Sequence, residues 1–270
     1  MTMKAEQQEV LIECKNLDLV YGTGEDSVQA LENIDLEIRR GEFVCVLGPS
    51  GCGKSTLLKT IAGYIEPTKG QCLMQGEPIE GPDWHRGVVF QSSTLYPWMS
   101  VKDNVEFGPR MRGVPEKEIK KRRKYFLEEV NLAGIGEKAT FELSGGMKQR
   151  VALARVLANN PQVILMDEPF GALDALTRND MQKLVHNIWK ENNNTIFFIT
   201  HDVDEALALA TRIVVLSKSP GKIIEEFNVN FTDTLFDEKT KFADDSERVE
   251  YEDEYFKVKN KILDIIHNQI

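Results

Sequence analysis

Gly48-Pro49-Ser50-Gly51-Cys52-Gly53-Lys54-Ser55-Thr56 is the stretch that decides the fold. It follows the apolar run 43–47 and precedes residues 57–62, which have the composition of a helix. A strand, a glycine-rich loop and a helix in this order form a phosphate-binding loop, because the glycines let successive backbone N–H groups point at phosphate oxygens. Lys54 adds a full positive charge, and the Ser55 hydroxyl is a ligand for Mg²⁺. The sequence therefore predicts a nucleoside triphosphate site rather than a glycine turn that binds nothing.

Length and composition are those of a soluble globular protein. The chain has 270 residues, of which 41% are hydrophobic and 28% are charged, and these fractions are ordinary for a soluble domain. No apolar run approaches the roughly 20 residues that span a bilayer, and the first nine residues lack the apolar core of a signal peptide. We expect one large domain, or one domain with a subdomain, in the cytosol.

Acidic side chains dominate the net charge of −10. Residues 225–270 hold 13 acidic and 6 basic side chains, so most of the excess lies in the C-terminal segment. We expect no nucleic-acid partner, since phosphate contacts need clustered Lys and Arg. The basic cluster at residues 117–124 is either a solvated helix face or a contact for anionic lipid headgroups or an acidic partner.

The four cysteines are Cys14, Cys45, Cys52 and Cys72, and their spacing contains no C-x-x-C pair. We expect reduced thiols, with Cys45 acting as a small core hydrophobe. Cys52 lies at a predicted helix N-terminus, where a thiol pKa can fall. It is therefore either sensitive to oxidants or an inert loop residue.

Hydrophobic patterning predicts an α/β fold. Residues 10–21 and 34–38 alternate apolar and polar side chains, as half-buried strands do. Short or continuously apolar runs predict further strands at residues 43–47, 70–74, 87–90, 163–166, 195–200 and 213–216. Helical patterns follow at residues 146–159, 173–190 and 203–210. This alternation of strand and helix favours a mainly parallel sheet with helices on both faces.

Two segments depart from that alternation. Residues 92–143 are interrupted by proline and glycine, and a good helix begins at Pro115, so we expect a mostly helical insertion. Residues 255–266 predict a final amphipathic helix. Its inward face is expected to carry Phe256, Ile262, Ile265 and Ile266.

Polar residues follow three of the predicted strands. Lys54, Asp167 with Glu168, and His201 each come just after an apolar run, and ligands of open α/β sheets bind beyond the carboxyl ends of the strands. Asp167 is suited to hold Mg²⁺ through its water shell. Glu168 is suited to polarise an attacking water. These residues predict a site for phosphoryl transfer to water.

A second anion-binding helix N-terminus is predicted at Leu143-Ser144-Gly145-Gly146-Met147-Lys148-Gln149-Arg150. One interpretation is a serine-capped helix with no ligand. The other is a dimer in which each copy supplies one half of a composite ATP site, as a two-fold axis allows.

With these residues in view, the chain resembles the ATP-binding subunit of an ATP-binding cassette (ABC) transporter. The matching motifs are Walker A at residues 48–56, the glutamine loop at Gln91, the signature at 143–150, Walker B at 163–168, the interface loop Gly171-Ala172-Leu173-Asp174, the switch histidine His201, and Tyr21 as the aromatic that stacks on adenine. The resemblance implies an α/β P-loop NTPase with a mainly parallel core sheet, an N-terminal antiparallel β subdomain and an inserted α-helical subdomain. It places the nucleotide-binding core at 10–91 and 160–228, the helical subdomain at 92–159, and an acidic C-terminal extension ending in a helix at 229–270.

The resemblance also implies a role for each matching residue. ATP phosphates would be bound by Lys54 and by its loop neighbours Gly48, Pro49, Ser50, Gly51, Cys52, Gly53, Ser55 and Thr56. Mg²⁺ would be organised by Ser55, Gln91 and Asp167. Catalysis would rest on Glu168 as general base, on His201, on Lys54 and on Gln91. Ser144, Gly145, Gly146 and Asp174 would close on the ATP of the opposite copy. Met147 departs from the family, which usually has glutamine there.

Further residues resemble importers of nitrate, sulfonate, taurine and bicarbonate. They are residues 94–101, 103–105, Met147 and 219–223. Such a subunit would hydrolyse ATP at the cytoplasmic face of the membrane, bound to permease subunits and served indirectly by a substrate-binding protein. Tyr96 and Trp98 would then form a docking surface for the permease, although Trp98 as a buried anchor of the helical subdomain is an alternative.

Other functions fit the sequence less well. The separation of Gln91 and Ser144 leaves no room for the long coiled coil of DNA-repair cassettes, and ribosome-acting members usually carry two cassettes. A regulator that binds ATP without hydrolysing it is disfavoured by intact Glu168 and His201. An exporter motor is disfavoured only by the importer-like residues.

Overall fold

The chain divides between two units in the computed structural model, which describes residues 9–236 and 245–269. The first unit takes in residues up to 82 and from 195 onward, and the second takes in residues 83–194. The domain boundaries expected from the sequence stay predictions.

The strands of the described residues are β1 Val10–Tyr21, β2 Val28–Arg39, β3 Phe43–Leu47, β4 Lys69–Met74, β5 Glu77–Pro78, β6 Arg86–Val89, β7 Val163–Asp167, β8 Thr195–Ile199, β9 Arg212–Leu216 and β10 Ile223–Asn228. The helices are α1 Lys54–Ile61, α2 Val101–Met111, α3 Glu116–Glu129, α4 Gly145–Leu157, α5 Ala175–Asn192, α6 Val203–Leu209, α7 Thr232–Phe236 and α8 Asp245–His267. Every strand and helix expected from the sequence is present, but β2 begins six residues and α8 ten residues before its predicted start.

The first unit contains two kinds of sheet. The first is antiparallel, in the order β2-β1-β4-β5, and the burial of β2 alternates along the strand as the sequence pattern predicts. In the second, β8, β3 and β9 lie side by side and parallel, and β10 pairs antiparallel with β9. β3 and β8 are buried along their whole length, which explains why each is a continuous apolar run.

β10 was not among the strands expected from the sequence. Its residues alternate between half-buried and exposed, and it carries two glutamates, so its apolar signal is weak. It pairs with β9 alone among the described strands. An edge strand of this kind is stabilised by backbone hydrogen bonds to its neighbour, here β9, more than by burial of its side chains.

The second unit combines the parallel pair β6 and β7 with the helices α2 to α5. The helical insertion expected after residue 92 is present as α2, α3 and the start of α4. Helix α2 has no separate prediction from the sequence within that insertion. It begins at the cap Ser100, whose side chain accepts a hydrogen bond from the Asp103 amide, and it contains Pro109.

The final helix is confirmed, but its inward face differs from the prediction. Ile262 is fully buried, whereas Phe256 is 55% exposed. The ring of Tyr255 packs instead against Phe231, with 5.3 Å between the ring centroids. The predicted burial of Phe256 is wrong. The buried face of α8 is the one that packs on Phe231, and the helical pattern of α8 alone does not reveal that partner.

Among the described helices, none is both long enough and apolar enough to cross a membrane.

Candidate active site

The phosphate loop of the first unit owes its shape to close backbone packing. Gly53 has a φ of +98° and forms the N-cap of α1. A Cβ atom at this position would lie 2.7 Å from the Ala30 carbonyl oxygen, closer than ordinary van der Waals contact. Only glycine can adopt this positive φ and also lie this close to the Ala30 carbonyl, because it has no Cβ atom. The loop is therefore built against β2, which follows β1 in the same unit.

Lys54 lies inside the loop. Its ammonium group donates hydrogen bonds of 2.8 Å to the carbonyl oxygens of Gly48 and Pro49, and the residue is only 7% exposed. A nearly buried ammonium group beside the N-terminus of α1 gives the loop a concentrated positive potential. That is the electrostatic requirement for binding the terminal phosphates of a nucleotide.

Cys52 points away from solvent beneath the loop. It is fully buried, and burial raises the pKa of its thiol even though Lys54 acts in the opposite direction. The lowered pKa considered from its helix N-terminus is wrong, because burial outweighs the helix end and the neighbouring charge. The buried thiol fits the inert loop residue of the two alternatives, and the Cys52 amide donates to the Pro49 carbonyl at 3.4 Å.

The remaining cysteines are also buried and free. Cys45 in β3 is a core residue, as expected. Cys14 and Cys72 face each other across β1 and β4, with their sulfur atoms 3.0 Å apart.

Tyr21 and His201 lie on segments that flank the loop. The Tyr21 hydroxyl is 3.2 Å from the Thr56 hydroxyl, and its ring is partly exposed. β8 runs parallel to β3, with Ile199 opposite Val46. The two strands therefore end at the same edge, where Gly48 begins the phosphate loop and His201 follows two residues after β8.

The second unit brings Gln91 and Glu168 together. β6 and β7 are parallel, with Val89 opposite Met166, so the segments that follow them begin at the same edge. The Gln91 side-chain nitrogen and a Glu168 carboxylate oxygen lie 3.2 and 3.9 Å from the point that a Cβ on Gly171 would occupy. One polar cluster thus holds the glutamine loop, the second carboxylate of Walker B and the start of the interface loop.

Glu168 has a left-handed backbone conformation, with a φ of +44°. A non-glycine residue in this region is strained by about 1–2 kcal/mol. Such strain is frequent at functional sites, where it directs a side chain to a position that a relaxed backbone would not reach. It marks the carboxylate that the sequence singled out.

The predicted Mg²⁺ ligands Ser55, Gln91 and Asp167 supply a hydroxyl, an amide and a carboxylate. These oxygen donors fit Mg²⁺, which takes few carboxylates and keeps several waters. The described residues contain no group of three or more His, Cys, Asp or Glu side chains able to hold a metal. The predicted donor set does not need such a group, since only one of its three members is a carboxylate.

The signature segment contacts the interface loop within the second unit. Ser144 caps α4 by accepting a hydrogen bond from the Met147 amide at 3.3 Å. A Cβ on Gly146 would lie 2.6 Å from the methyl group of Thr177. The Thr177 hydroxyl donates to the Asp174 carboxylate at 2.7 Å, and this bond lowers the pKa of Asp174. Thr177 therefore links two residues expected to face a partner copy, by packing on Gly146 and donating to Asp174.

Three side chains that position the segment 90–100 were missed from the sequence. Gln149 of α4 donates to the Phe90 carbonyl at 2.9 Å, and Arg155 of the same helix donates to the Thr94 carbonyl at 2.9 Å. Asn104 of α2, fully buried, accepts from the Tyr96 amide at 2.8 Å and donates to three carbonyls of residues 96–100. A lone Gln, Arg or Asn in an amphipathic helix gives no sign of such a role.

Trp98 is 76% exposed, so the alternative of a buried subdomain anchor is wrong. Its ring contacts Tyr96, which in turn packs on Phe107. Anchoring of the segment is done by Tyr96 and Asn104, and Trp98 is left at the surface.

Four of the six basic side chains in the cluster 117–124 on α3 lie within ion-pair distance of a glutamate. Lys120 and Arg122 pair with glutamates one turn earlier, and Lys124 approaches one a turn later. Arg123 pairs with the buried Glu106 at 2.5 Å. This arrangement is typical of a solvated helix face, the first of the two interpretations.

Comparison with known proteins identifies the family. Residues 31–171 match the family described as ABC transporter. The chain is 54% identical over 208 residues to the taurine import ATP-binding protein of Roseobacter denitrificans, covering 77% of this chain and 78% of that protein. It is 44% identical over 258 residues to the nitrate import ATP-binding protein of a Synechocystis strain, covering 96% of each.

A solved structure gives the same result for the fold. The dimeric structure of a post-hydrolysis state of the ATP-binding cassette MJ0796 bound to ADP and Pi matches this chain with a TM-score of 0.72 at 33% identity, over 82% of this chain and 99% of that one. The predicted α/β cassette fold is thereby confirmed. The glycine loop around Lys54, the Gln91–Glu168 cluster and these relatives lead to one conclusion: the chain belongs to the ABC transporter family.

Proposed function

We propose that this chain is the ATP-hydrolysing subunit of a membrane importer for a small anion such as taurine, a sulfonate, nitrate or bicarbonate. ATP binding and hydrolysis follow from its family, and the importer assignment is supported by relatives that are import ATP-binding proteins. None of the relatives described above favours an exporter motor or a cassette that acts on nucleic acid or ribosomes.

The observation that carries the mechanism is the strained Glu168 beside Gln91. Its carboxylate accepts a proton from the attacking water, and Gln91 orients that water. Lys54 and the loop amides hold the phosphates, and His201 contacts the terminal phosphate. Ser55, Gln91 and Asp167 would hold Mg²⁺, which would supply charge neutralisation when bound. Phosphoryl transfer needs positioning and electrostatic stabilisation more than covalent chemistry, and these residues supply both.

Two copies are proposed to enclose two ATP molecules. Ser144, Gly145, Gly146 and Asp174 of one copy close on the nucleotide of the other, and the related cassette MJ0796 is described as dimeric. Hydrolysis then depends on closure, which gives ATP control over a two-state motion.

The test of this mechanism is Glu168→Gln, with Glu80→Gln as the same change at an exposed position. We expect Glu168→Gln to lower the ATPase rate at least about a hundredfold, because the general base is lost, and to accumulate an ATP-bound dimer in size-exclusion chromatography. Glu80→Gln should behave as wild type. Full activity in Glu168→Gln would rule out the general-base role.

Permease docking is proposed for the segment 91–99, whose exposed Trp98 is the kind of aromatic that anchors interfaces. Trp98→Ala should reduce co-purification with the permease subunits of the proposed importer, while ATP binding and the unfolding midpoint stay unchanged. Phe256→Ala removes another exposed aromatic outside this segment and serves as the control. Equal permease capture by both variants would contradict docking through Trp98.

A further inference from the structure

The C-terminal extension, described over residues 229–236 and 245–269, contacts helix α6 at both ends. At its N-terminal end, the Asp204 carboxylate accepts hydrogen bonds from the Tyr255 hydroxyl at 2.8 Å and from the Lys259 ammonium at 2.5 Å. At its C-terminal end, the Ala210 carbonyl accepts a bond of 3.1 Å from the buried Thr232 hydroxyl. Both donors at Asp204 come from α8, and the donor at Ala210 comes from α7.

The extension packs against other elements of the first unit, to which it belongs. The rings of Tyr251 and Tyr255 meet the buried Phe231 edge-on, with centroids 5.5 and 5.3 Å apart, and Ile262 is fully buried. Lys261 forms an ion pair with Glu225 of β10. Because these contacts fix α8 in place, α8 can in turn restrain Asp204 of α6.

Helix α6 cannot fix its own position. It has seven residues, far fewer than the roughly 12–15 that an isolated helix needs to be stable. Its position must therefore come from tertiary contacts. One polar tertiary contact at its first turn is made by Tyr255 and Lys259, which bond the Asp204 carboxylate.

The first turn of α6 is continuous with the turn that carries His201. The Asp202 amide donates to the Thr200 hydroxyl at 3.0 Å, and the Asp202 carboxylate accepts from the amides of Asp204 and Glu205 at 2.9 and 3.2 Å. Asp204 is thus bonded through its backbone to the histidine turn and through its side chain to α8. Asp204, Asp202 and Thr200 therefore form a hydrogen-bonded path from α8 to the turn that contains His201.

The charge state of this link is stable at neutral pH. Burial acts to raise the pKa of Asp204, but the hydrogen bonds from Lys259 and Tyr255 outweigh it and lower that pKa. The carboxylate is therefore ionised over the whole physiological range. The link is controlled by whether α8 is docked and not by protonation.

We infer that the extension positions the switch histidine: Tyr255 and Lys259 hold Asp204, and through it they hold the His201 turn in the orientation that hydrolysis requires. The inference rests on the proposed role of His201. Tyr255 and Lys259 are positioning residues, since neither is expected to contact the nucleotide. Undocking α8 slows the hydrolytic step and leaves ATP binding, which depends on the phosphate loop, largely intact.

The variant that breaks the link is Tyr255→Phe combined with Lys259→Met, which keeps the ring and the aliphatic stem. Lys257→Met is the matched control, because Lys257 lies on the exposed side of the same helix and the change in charge is identical. Lys259→Arg keeps the positive charge and the hydrogen-bond donor. In a chain with Tyr255 intact, this conservative variant should therefore retain wild-type ATPase activity. Asp204→Asn, alone and combined with the double variant, closes a mutant cycle.

Two readouts separate positioning from a merely structural role. The first is steady-state ATPase activity of the full chain, for which we expect kcat to fall about three- to tenfold with KM for ATP changed less than about twofold. Asp204→Asn should add little to the double variant. The second is amide hydrogen exchange, which should increase over residues 200–206 and stay unchanged in the phosphate loop 48–54.

The outcomes are distinct for each claim. Unchanged exchange over 200–206, or a kcat equal to that of Lys257→Met, overturns the inference. An equal loss in kcat and in apparent ATP affinity also overturns it, since that pattern indicates general destabilisation. A wild-type chain without ATPase activity, or a His201→Ala variant that hydrolyses ATP normally, overturns the proposed function instead, and the exchange data then stand as a separate result.

Discussion

The phosphate loop 48–53 and the segment 90–100 are both expected to serve the nucleotide, yet they are held in place by different means. The loop is fixed by backbone packing, with Gly53 against the Ala30 carbonyl and Lys54 bonded to carbonyls of the loop itself. The segment is fixed by long side chains that reach from α4 and α2. The loop depends on close backbone packing against β2 and β9, at Ala30 and Leu216, whereas the segment depends on side-chain hydrogen bonds from residues as far as 61 positions away in sequence.

This difference predicts how each region fails. At Gly53 the backbone packing of the loop leaves no room for an added methyl group, and disruption there should affect the whole unit. A segment held by individual hydrogen bonds should lose order in proportion to the bonds removed. The following substitutions test the contrast.

The largest effect on stability is expected at Gly53. Gly53→Ala combines a positive φ with a Cβ 2.7 Å from a backbone oxygen, so we expect a loss of about 3 kcal/mol in the free energy of unfolding. Gly51→Ala is the matched control, because Gly51 also has a positive φ but open space around its Cβ; its cost should be about 1 kcal/mol. Urea titration measures both. Equal losses would show that dihedral strain alone, and not packing, fixes the loop.

A smaller effect is expected at Asn104. Asn104→Leu keeps the side-chain volume but removes all of its bonds to residues 96–100, leaving several peptide groups without their partner; we expect a loss of about 2 kcal/mol. Amide exchange should increase over residues 96–100 first. Asn187→Leu, the same change on the exposed face of α5, should stay within about 0.5 kcal/mol. If Asn104→Leu leaves exchange in the segment unchanged, the ring packing of Tyr96 holds it instead.

The smallest effect is expected from thiol labelling of Cys52, which reports how often the phosphate loop opens. Because burial raises the pKa of this thiol, its thiolate fraction at pH 8 is below that of a free cysteine, and alkylation should be at least about tenfold slower than in urea. A folded pKa above the unfolded one also means that this group favours folding at lower pH and that its contribution is lost as the pH rises past about 9. Peptide mapping by mass spectrometry measures the rate. Labelling as fast as in urea would contradict a closed loop.

The sequence was most informative where structure is local. The glycine loop, the buried strands β3, β7 and β8 and the helix after Pro115 each follow from residues adjacent in the chain. The polar cluster of Gln91 and Glu168 could be expected at one edge of the sheet because both follow apolar strands. The roles of the individual site residues remain predictions from family resemblance.

Features that depend on distant partners were missed. Gln149, Arg155 and Asn104 look like ordinary helix residues until their carbonyl partners are known. The inward position of Tyr255 in place of Phe256 is set by Phe231, on another element. Strand β10 forms through pairing with β9, and its own pattern is too polar to predict burial.

The contact between Gly146 and Thr177 limits how the chain can vary. The Thr177 hydroxyl is bonded to Asp174, so its methyl group cannot rotate away from Gly146, and a larger residue at 146 is compatible only with a smaller one at 177. The two positions are thus expected to change together over evolution, and Gly146→Ala should be tolerated better alongside Thr177→Ser than alone. Covariation between positions 146 and 177 would then result from one steric contact within a single subunit.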